Sequence, residues 1–415
     1  MSGDGSSSTS AVTSAVKKSA PLWLLVMITL SGTLAMHMFV PALPDAARAL
    51  HTNSAAVQAT IGIYILGLAF GQLFYGPLSD ALGRRPMLMV GLSLYLGAGI
   101  VAALAPNVET LVLARLFQAL GGCAGLALGR AMVRDTTSAD EAVRALALLN
   151  LIMMVGPGLA PIIGSTMVEL GGWRMVFVFL SLLGAATLVL TWKKVPETGT
   201  PTGVVSVTAL ARDYSSLLKS PKYLGYAFGG ACATTSIYAF IAAAPFVITE
   251  QLDHPVRDVG ISLGIIMIGM GIGNAITRRM VLNVPVEKLL VFGNGLSIAS
   301  AAVFLVLELV GWLNLPAIVV LMLLFAMGSG TASPAALSKT LMVDAHHVGS
   351  AAGMYGFSQM ALGALFTLMV GWGSNPALSA AIVLIGAAVA GQAGVQFALH
   401  QERKEARYPE GGEGI

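Results

Sequence analysis

The side chains able to do chemistry in this sequence lie in or beside apolar stretches, where they are costly to hold. His37 falls inside one apolar run and Arg115 and Gln118 inside another, which Asp135 closes, while Asp80, Arg84 and Arg85 stand between two runs. Imidazole titrates near neutral pH, so His37 has the chemistry of a proton carrier. An ionisable group in an apolar helix is a functional hypothesis because chance retention is expensive. The bland alternative is a neutral ring bonded to a neighbouring helix. Arg115 presents a planar positive fork, and Gln118, one helical turn on, shares its face. Its expected acceptors are Gln118, backbone carbonyls freed near Pro157 and Pro161, and an anionic group on a bound molecule. Snorkelling is the alternative for Arg115, and plain interhelical hydrogen bonding for Gln118. No compact cluster of nucleophile, acid and base is visible, as an enzyme would need. Cys123 and Cys232 form neither a disulfide framework nor a metal spacing, and His346-His347, lacking a third ligand, reads as solvated. No Gly-x-x-x-x-Gly-Lys-Ser/Thr loop is present to hold a nucleotide, so neither cofactor nor metal is expected.

The elements that must position these residues are membrane helices. Hydrophobic residues make up 56% of the 415 and charged residues only 10%, against roughly 25% in a soluble globular protein. So few charges leave an apolar surface that must face lipid. The 48 glycines fit helices whose backbones approach closely without a hydrophobic drive between them. A ruler of about 20 apolar residues per crossing predicts twelve spans: 21–43, 56–79, 86–105, 109–132, 143–168, 172–192, 222–250, 257–277, 287–310, 315–337, 348–372 and 376–399. Lys17, Lys18, Arg84, Arg85, Arg134, Lys193, Lys194, Arg278, Arg279, Lys339 and Arg403 then fall on one side, and Arg48, Arg174 and Arg257 on the other. By the positive-inside rule the basic side is cytoplasmic and both termini lie there, in a bacterial-type inner membrane. The polar start, within 1–20, is expected to be disordered. Residues 193–221 read as a cytoplasmic linker between two six-helix bundles, 21–192 and 222–399, and 400–415 as a cytoplasmic tail. The small, dispersed net charge of +3 leaves no stripe for nucleic acid.

Motifs in order along the chain carry a resemblance. Gly76-Pro-Leu-Ser-Asp80-Ala-Leu-Gly83-Arg84-Arg85-Pro86, whose glycines permit a tight turn, resembles the loop signature of the major facilitator superfamily. Arg115-Leu-Phe-Gln118-Ala-Leu-Gly121-Gly122 is similar to its Arg-x-x-Gln-Gly motif, and Arg134-Asp135 closes that span. Gly156-Pro157 and Ala160-Pro161-Ile-Ile-Gly164 resemble the Gly/Pro motif of its drug antiporters. Three further runs, Met38-Phe-Val-Pro41-Ala-Leu-Pro44, Tyr238 to Val247 and Ser333-Pro-Ala-Ala-Leu337, look like the bicyclomycin-resistance (Bcr/CflA) type of multidrug exporter. The resemblance covers all twelve spans, more thinly in the second half. It implies an all-α fold of two six-helix bundles that rock about a central site, with Asp80, Arg84, Arg85 and Asp135 as a latch closing the inner ends of the halves. One departure stands out. Members of that group carry an acidic residue four positions before the first Pro of the first span's motif, where this chain has His37, and Asp45, Glu109, Glu169, Glu250 and Glu308 all fall near outer ends.

Tyr64, Asn150, Met153, Tyr238, Met267, Asn274, Tyr355 and Gln359 are polar or soft residues at mid-span and are candidate pocket lining. Ordinary packing is the alternative for each. Gly121, Gly125 and Gly129, like Gly67 with Gly71 and Gly260 with Gly264, are explained by close helix packing. The function expected is secondary export of small, partly apolar molecules in exchange for protons, by a monomer. A dedicated metabolite or siderophore exporter, and a gradient-free facilitator favoured by the missing carboxylate, are the alternatives within the fold. A membrane-embedded enzyme is the alternative of a different class.

Overall fold

Helix starts in this chain are written by short polar residues and prolines. Asn53, Asn107, Ser220, Asn314 and Asn375 each accept a backbone N–H three residues on, at 2.8 to 3.2 Å, satisfying donors that would otherwise be orphaned at a helix N-terminus. A computed structural model describes residues 20–136, 139–199, 201–203, 207–343 and 348–407. Residues 1–16 and His346-His347 fall outside these, as does the side chain of Asn150. The described residues form fifteen α-helices. The first half holds α1 (Leu22–Met38), α2 (Leu43–Ala49), α3 (Ser54–Leu82), α4 (Arg84–Ala103), α5 (Val108–Thr136), α6 (Ala139–Gly171) and α7 (Trp173–Lys194). A short α8 (Val207–Leu218) lies in the stretch between the halves. The second half holds α9 (Pro221–Thr235), α10 (Ile237–Phe246), α11 (Val256–Met280), α12 (Val286–Val310), α13 (Leu315–Met342), α14 (Val348–Val370) and α15 (Pro376–Arg407).

Among the described residues eleven segments are long and apolar enough to span a membrane, counting α1 with α2 and α9 with α10 as single crossings. The 33-residue α6 is the twelfth. Helices are the spanning form because every backbone group must be bonded inside lipid. Leu113, Val178, Leu182, Phe292 and Ile382 are exposed, as lipid-facing residues should be. The ends differ from expectation in two places: the first crossing runs on through a 3-10 turn, Val40–Ala42, to Ala49, and α15 continues to Arg407.

Glycines let the helices touch backbone to backbone. A Cβ on Gly32 would lie 2.8 Å from the carbonyl oxygen of Gly122, and one on Gly125 or Gly164 would collide with the backbone of Ile28 or Met38. Between halves, α3 packs along α14 and α6 along α11, while α10 meets Val40–Ala42 and α2. These contacts run from the side away from the basic ends to mid-depth, where Gly356 meets Gln72 and Gly158 meets Met267. One turn further toward the basic side, a Cβ on Gly76 meets nothing within 4 Å. In that direction α9 packs on α13, α14 and α15 of its own half. The contacts described between the halves thus lie on the side away from the basic ends and at mid-depth.

Candidate functional site

Two broken crossings face each other at the seam. After Met38 the first crossing turns through Val40–Ala42, where Pro41 and Pro44 stop the α-helical ladder. The seventh crossing breaks at Ser236 between α9 and α10. His37 and Tyr238 sit at these breaks, with ring centroids 6.4 Å apart. His37 is buried at 5% exposure, and its Nδ1 lies 2.9 Å from the carbonyl oxygen of Thr33. A carbonyl only accepts, so Nδ1 carries the proton and Nε2 is left as the atom that can gain or lose one.

Arg115 is fully buried. Its Nη1 donates to Gln118 Oε1 at 2.8 Å and to the carbonyl oxygen of Ala35 at 3.1 Å. The carbonyl comes from α1, not from the region of Pro157 and Pro161, because α5 packs against α1 through Gly125 and Gly122. The guanidinium lies 3.9 Å from the Tyr64 ring centroid, with Phe39 and Phe177 at 5.4 and 5.7 Å. Ring faces are negative and attract such a cation. Arg115 Nε and Nη2 and Gln118 Nε2 have no hydrogen-bond partner among the described residues.

The pocket-lining candidates divide. Met153, Tyr238, Met267 and Gln359 keep partial exposure near the inter-half contacts. Tyr64 is fully buried and donates to the carbonyl oxygen of Gly32 at 2.7 Å, so it serves as the floor beneath Arg115 instead of lining a pocket. Tyr355 is buried too, and Gln359 Nε2 donates to it and to Thr234 Oγ1, tying α14 to α9. Asn274 bonds back to Met270 of its own helix and borders a cavity of about 210 Å³ between α11 and α13. That position removes it from the seam, since α11 turns this face toward α13.

At the basic ends, Arg84 pairs with Asp80 at 2.8 Å and Asp135 at 3.1 Å, as the spacing required. Arg85 does not join them and donates instead to the carbonyl oxygen of Trp192. The cluster clasps α3, α4 and α5 of one half, and among the described residues none of its ion pairs crosses to the other half. Gly76 is helical, since α3 continues through Pro77 to Leu82, and only Gly83, at φ 103°, makes the turn. Two features escaped the sequence reading. Glu197 accepts the backbone N–H groups of Arg84 and Arg85 at 2.9 and 3.1 Å, capping α4 from beyond the end of α7. Buried Lys339 pairs with Glu287 and Glu402, joining α12, α13 and α15. The signals the sequence carries are a carboxylate just past a crossing, Glu197, and a lysine just beyond the predicted end of the tenth span, Lys339.

In α6, Gly156 and Gly164 face α1 while Gly158 and Pro161 face α11, so one helix carrying Pro157 and Pro161 touches its own half and the opposite one.

A two-half helical membrane fold with polar groups at broken crossings on its seam is the architecture of a secondary transporter. The Major Facilitator Superfamily profile matches residues 25–367, and the chain belongs to that superfamily. It is 28% identical over 385 residues to the MFS-type transporter YdgK of Bacillus subtilis (strain 168), covering 92% of this chain and 95% of that one. It is 36% identical over 177 residues to multidrug resistance protein D of Escherichia coli (strain K12), 43% and 45% of the two chains. To the bicyclomycin resistance protein homolog of Haemophilus influenzae it is 28% identical over 278 residues, 66% and 70%. A solved bacterial homolog of the human lysosomal transporter Spinster, inward-facing and occupied, shares the fold with a TM-score of 0.72 at 13% identity, over 92% of this chain and 96% of that one.

Proposed function

We propose that this chain exports small, partly apolar molecules by alternating access in exchange for protons, as a monomer with its basic side in the cytoplasm. The observation that carries the reading is the pair of broken crossings that set His37 against Tyr238 on the seam between the halves. Partly exposed Met153, Met267 and Tyr238 offer soft, adaptable contacts suited to varied apolar molecules. The names of the relatives, a multidrug resistance protein and a bicyclomycin resistance homolog, support drugs as the substrate class. His37 supplies the titratable group where related exporters carry a carboxylate, and its free Nε2 is the proposed proton site. Asp80, Arg84 and Asp135 hold the basic ends of the first half as one body, so that it moves as a unit.

The test uses purified protein in sealed vesicles with a panel of lipophilic compounds. Uptake into inverted vesicles should need an imposed proton gradient, and adding substrate should release protons. Transport that persists at the same rate after the gradient is collapsed would establish a facilitator instead. Competition confined to one compound would establish a dedicated exporter.

A further inference from the structure

We propose that a groove between α12 and α15 at the basic side binds an anionic phospholipid. The cavity there has a volume of about 740 Å³. Because α12 begins at the basic side and α15 arrives there, residues 287–288 and 402–403 form the mouth. Val291, Phe292 and Leu399 lie roughly one helical turn, about 5 Å, further in. The groove is therefore charged at its mouth and apolar below, the polarity of an amphiphile with its head at the interface.

The sign of the head follows from the pairing of the mouth residues. Glu287 and Glu402 are both held by Lys339, whose side chain is 9% exposed, and the Tyr226 hydroxyl also donates to Glu402. Lys339 balances one of the two carboxylates, and Lys222 places a second positive charge near Glu402. Lys288 and Arg403 have no ion pair among the described residues, so they set the unbalanced charge of the mouth. Two cations above an apolar trough match a phosphodiester with its acyl chain; a polybasic surface attracts such lipids in the cytoplasmic leaflet. A free phosphate would meet the same cations but leave Phe292, 64% exposed, uncovered.

The experiment compares full-length protein in nanodiscs of phosphatidylcholine alone and with a minor fraction of phosphatidylglycerol. The thermal midpoint is read in each, together with the phosphatidylglycerol retained after detergent extraction in native mass spectrometry. Phosphatidylglycerol should raise the midpoint and remain bound. Lys288→Gln with Arg403→Gln should abolish both effects while leaving the phosphatidylcholine midpoint unchanged. The control pair Arg278→Gln with Arg279→Gln, outside the groove, should keep them. Equal loss in the control pair, or retention in the groove pair, overturns the proposal. An equal shift from glycerol phosphate added to phosphatidylcholine discs would also overturn it, in favour of a headgroup-only site. If the double variant fails to insert, the single replacements decide, and unchanged retention in both refutes the site.

Discussion

His37 lies on the first crossing and Arg115 reaches it from the fourth, bonding the Ala35 carbonyl, yet the two make different demands on their surroundings. His37 has Nδ1 committed to Thr33 and Nε2 without a hydrogen bond among the described residues, so its proposed role depends on gaining a proton there. His37→Gln keeps an acceptor and a donor but cannot titrate, and it should abolish substrate-driven proton release while substrate binding survives. Direct measurement of proton flux in vesicles checks this, and an unchanged pH dependence of transport would rule out His37 as the carrier. Arg115 depends on shape. Its fork bonds Gln118 and Ala35 while lying flat on Tyr64, an arrangement an ammonium cannot reproduce. Cation–π contact is worth about 0.5–2 kcal/mol, and an arginine mid-membrane costs roughly 2.5–3.5 kcal/mol when unsupported. Arg115→Lys should therefore lower transport nearly as far as Arg115→Ala, by about tenfold or more on that scale. Normal transport by the Lys variant with failure of the Ala variant would mean that charge alone is needed.

At the scale of the element, α6 is the most constrained helix of the seam. A Cβ at Gly164 would collide with the Met38 carbonyl, and overpacking of this kind costs about 1–3 kcal/mol. Gly164→Val should lower the thermal midpoint and transport together, whereas Gly76→Ala, with nothing within 4 Å of its Cβ, should leave both intact. A comparison of melting curves for the two variants decides. The Asp80–Arg84–Asp135 clasp is a different case because Asp80 is 59% exposed in its side chain. An exposed pair contributes at most about 1 kcal/mol. Asp80→Asn should thus insert and melt like the parent protein but transport less, through the balance between the two access states. Full activity in that variant would remove any role for the clasp in transport.

At the scale of the whole molecule, the described contacts between the halves lie away from the basic ends, and a closure confined to that side has a chemical readout. Cys123 and Cys232 are both buried. With both replaced by Ala, a cysteine put in place of Met153 should react with a membrane-impermeant maleimide applied from the basic side faster than from the opposite side. Equal rates from both sides would contradict the asymmetric closure. Saturating substrate should change that ratio if the halves rock about the seam, since a ligand shifts conformations only through its differential affinity for them.

Composition and the alternation of basic loops were enough to specify a helical membrane protein of twelve crossings in two halves, because lipid admits few backbone solutions and charge placement orients them. Motifs in the expected order along the chain identified the superfamily. The Asp80–Arg84–Asp135 pairing and the Arg115–Gln118 bond were also legible, the second because it is local to one helix turn. What sequence could not decide was every contact made at long range. That Tyr64 lies under Arg115 and not in a pocket, that Ala35 supplies the second acceptor, that Glu197 caps α4 and that Lys339 gathers two carboxylates all depend on which helix faces packed together. Between apolar helices in lipid no hydrophobic pattern marks the facing side; backbone approach at glycines sets it, and those approaches exist only once the helices are assembled.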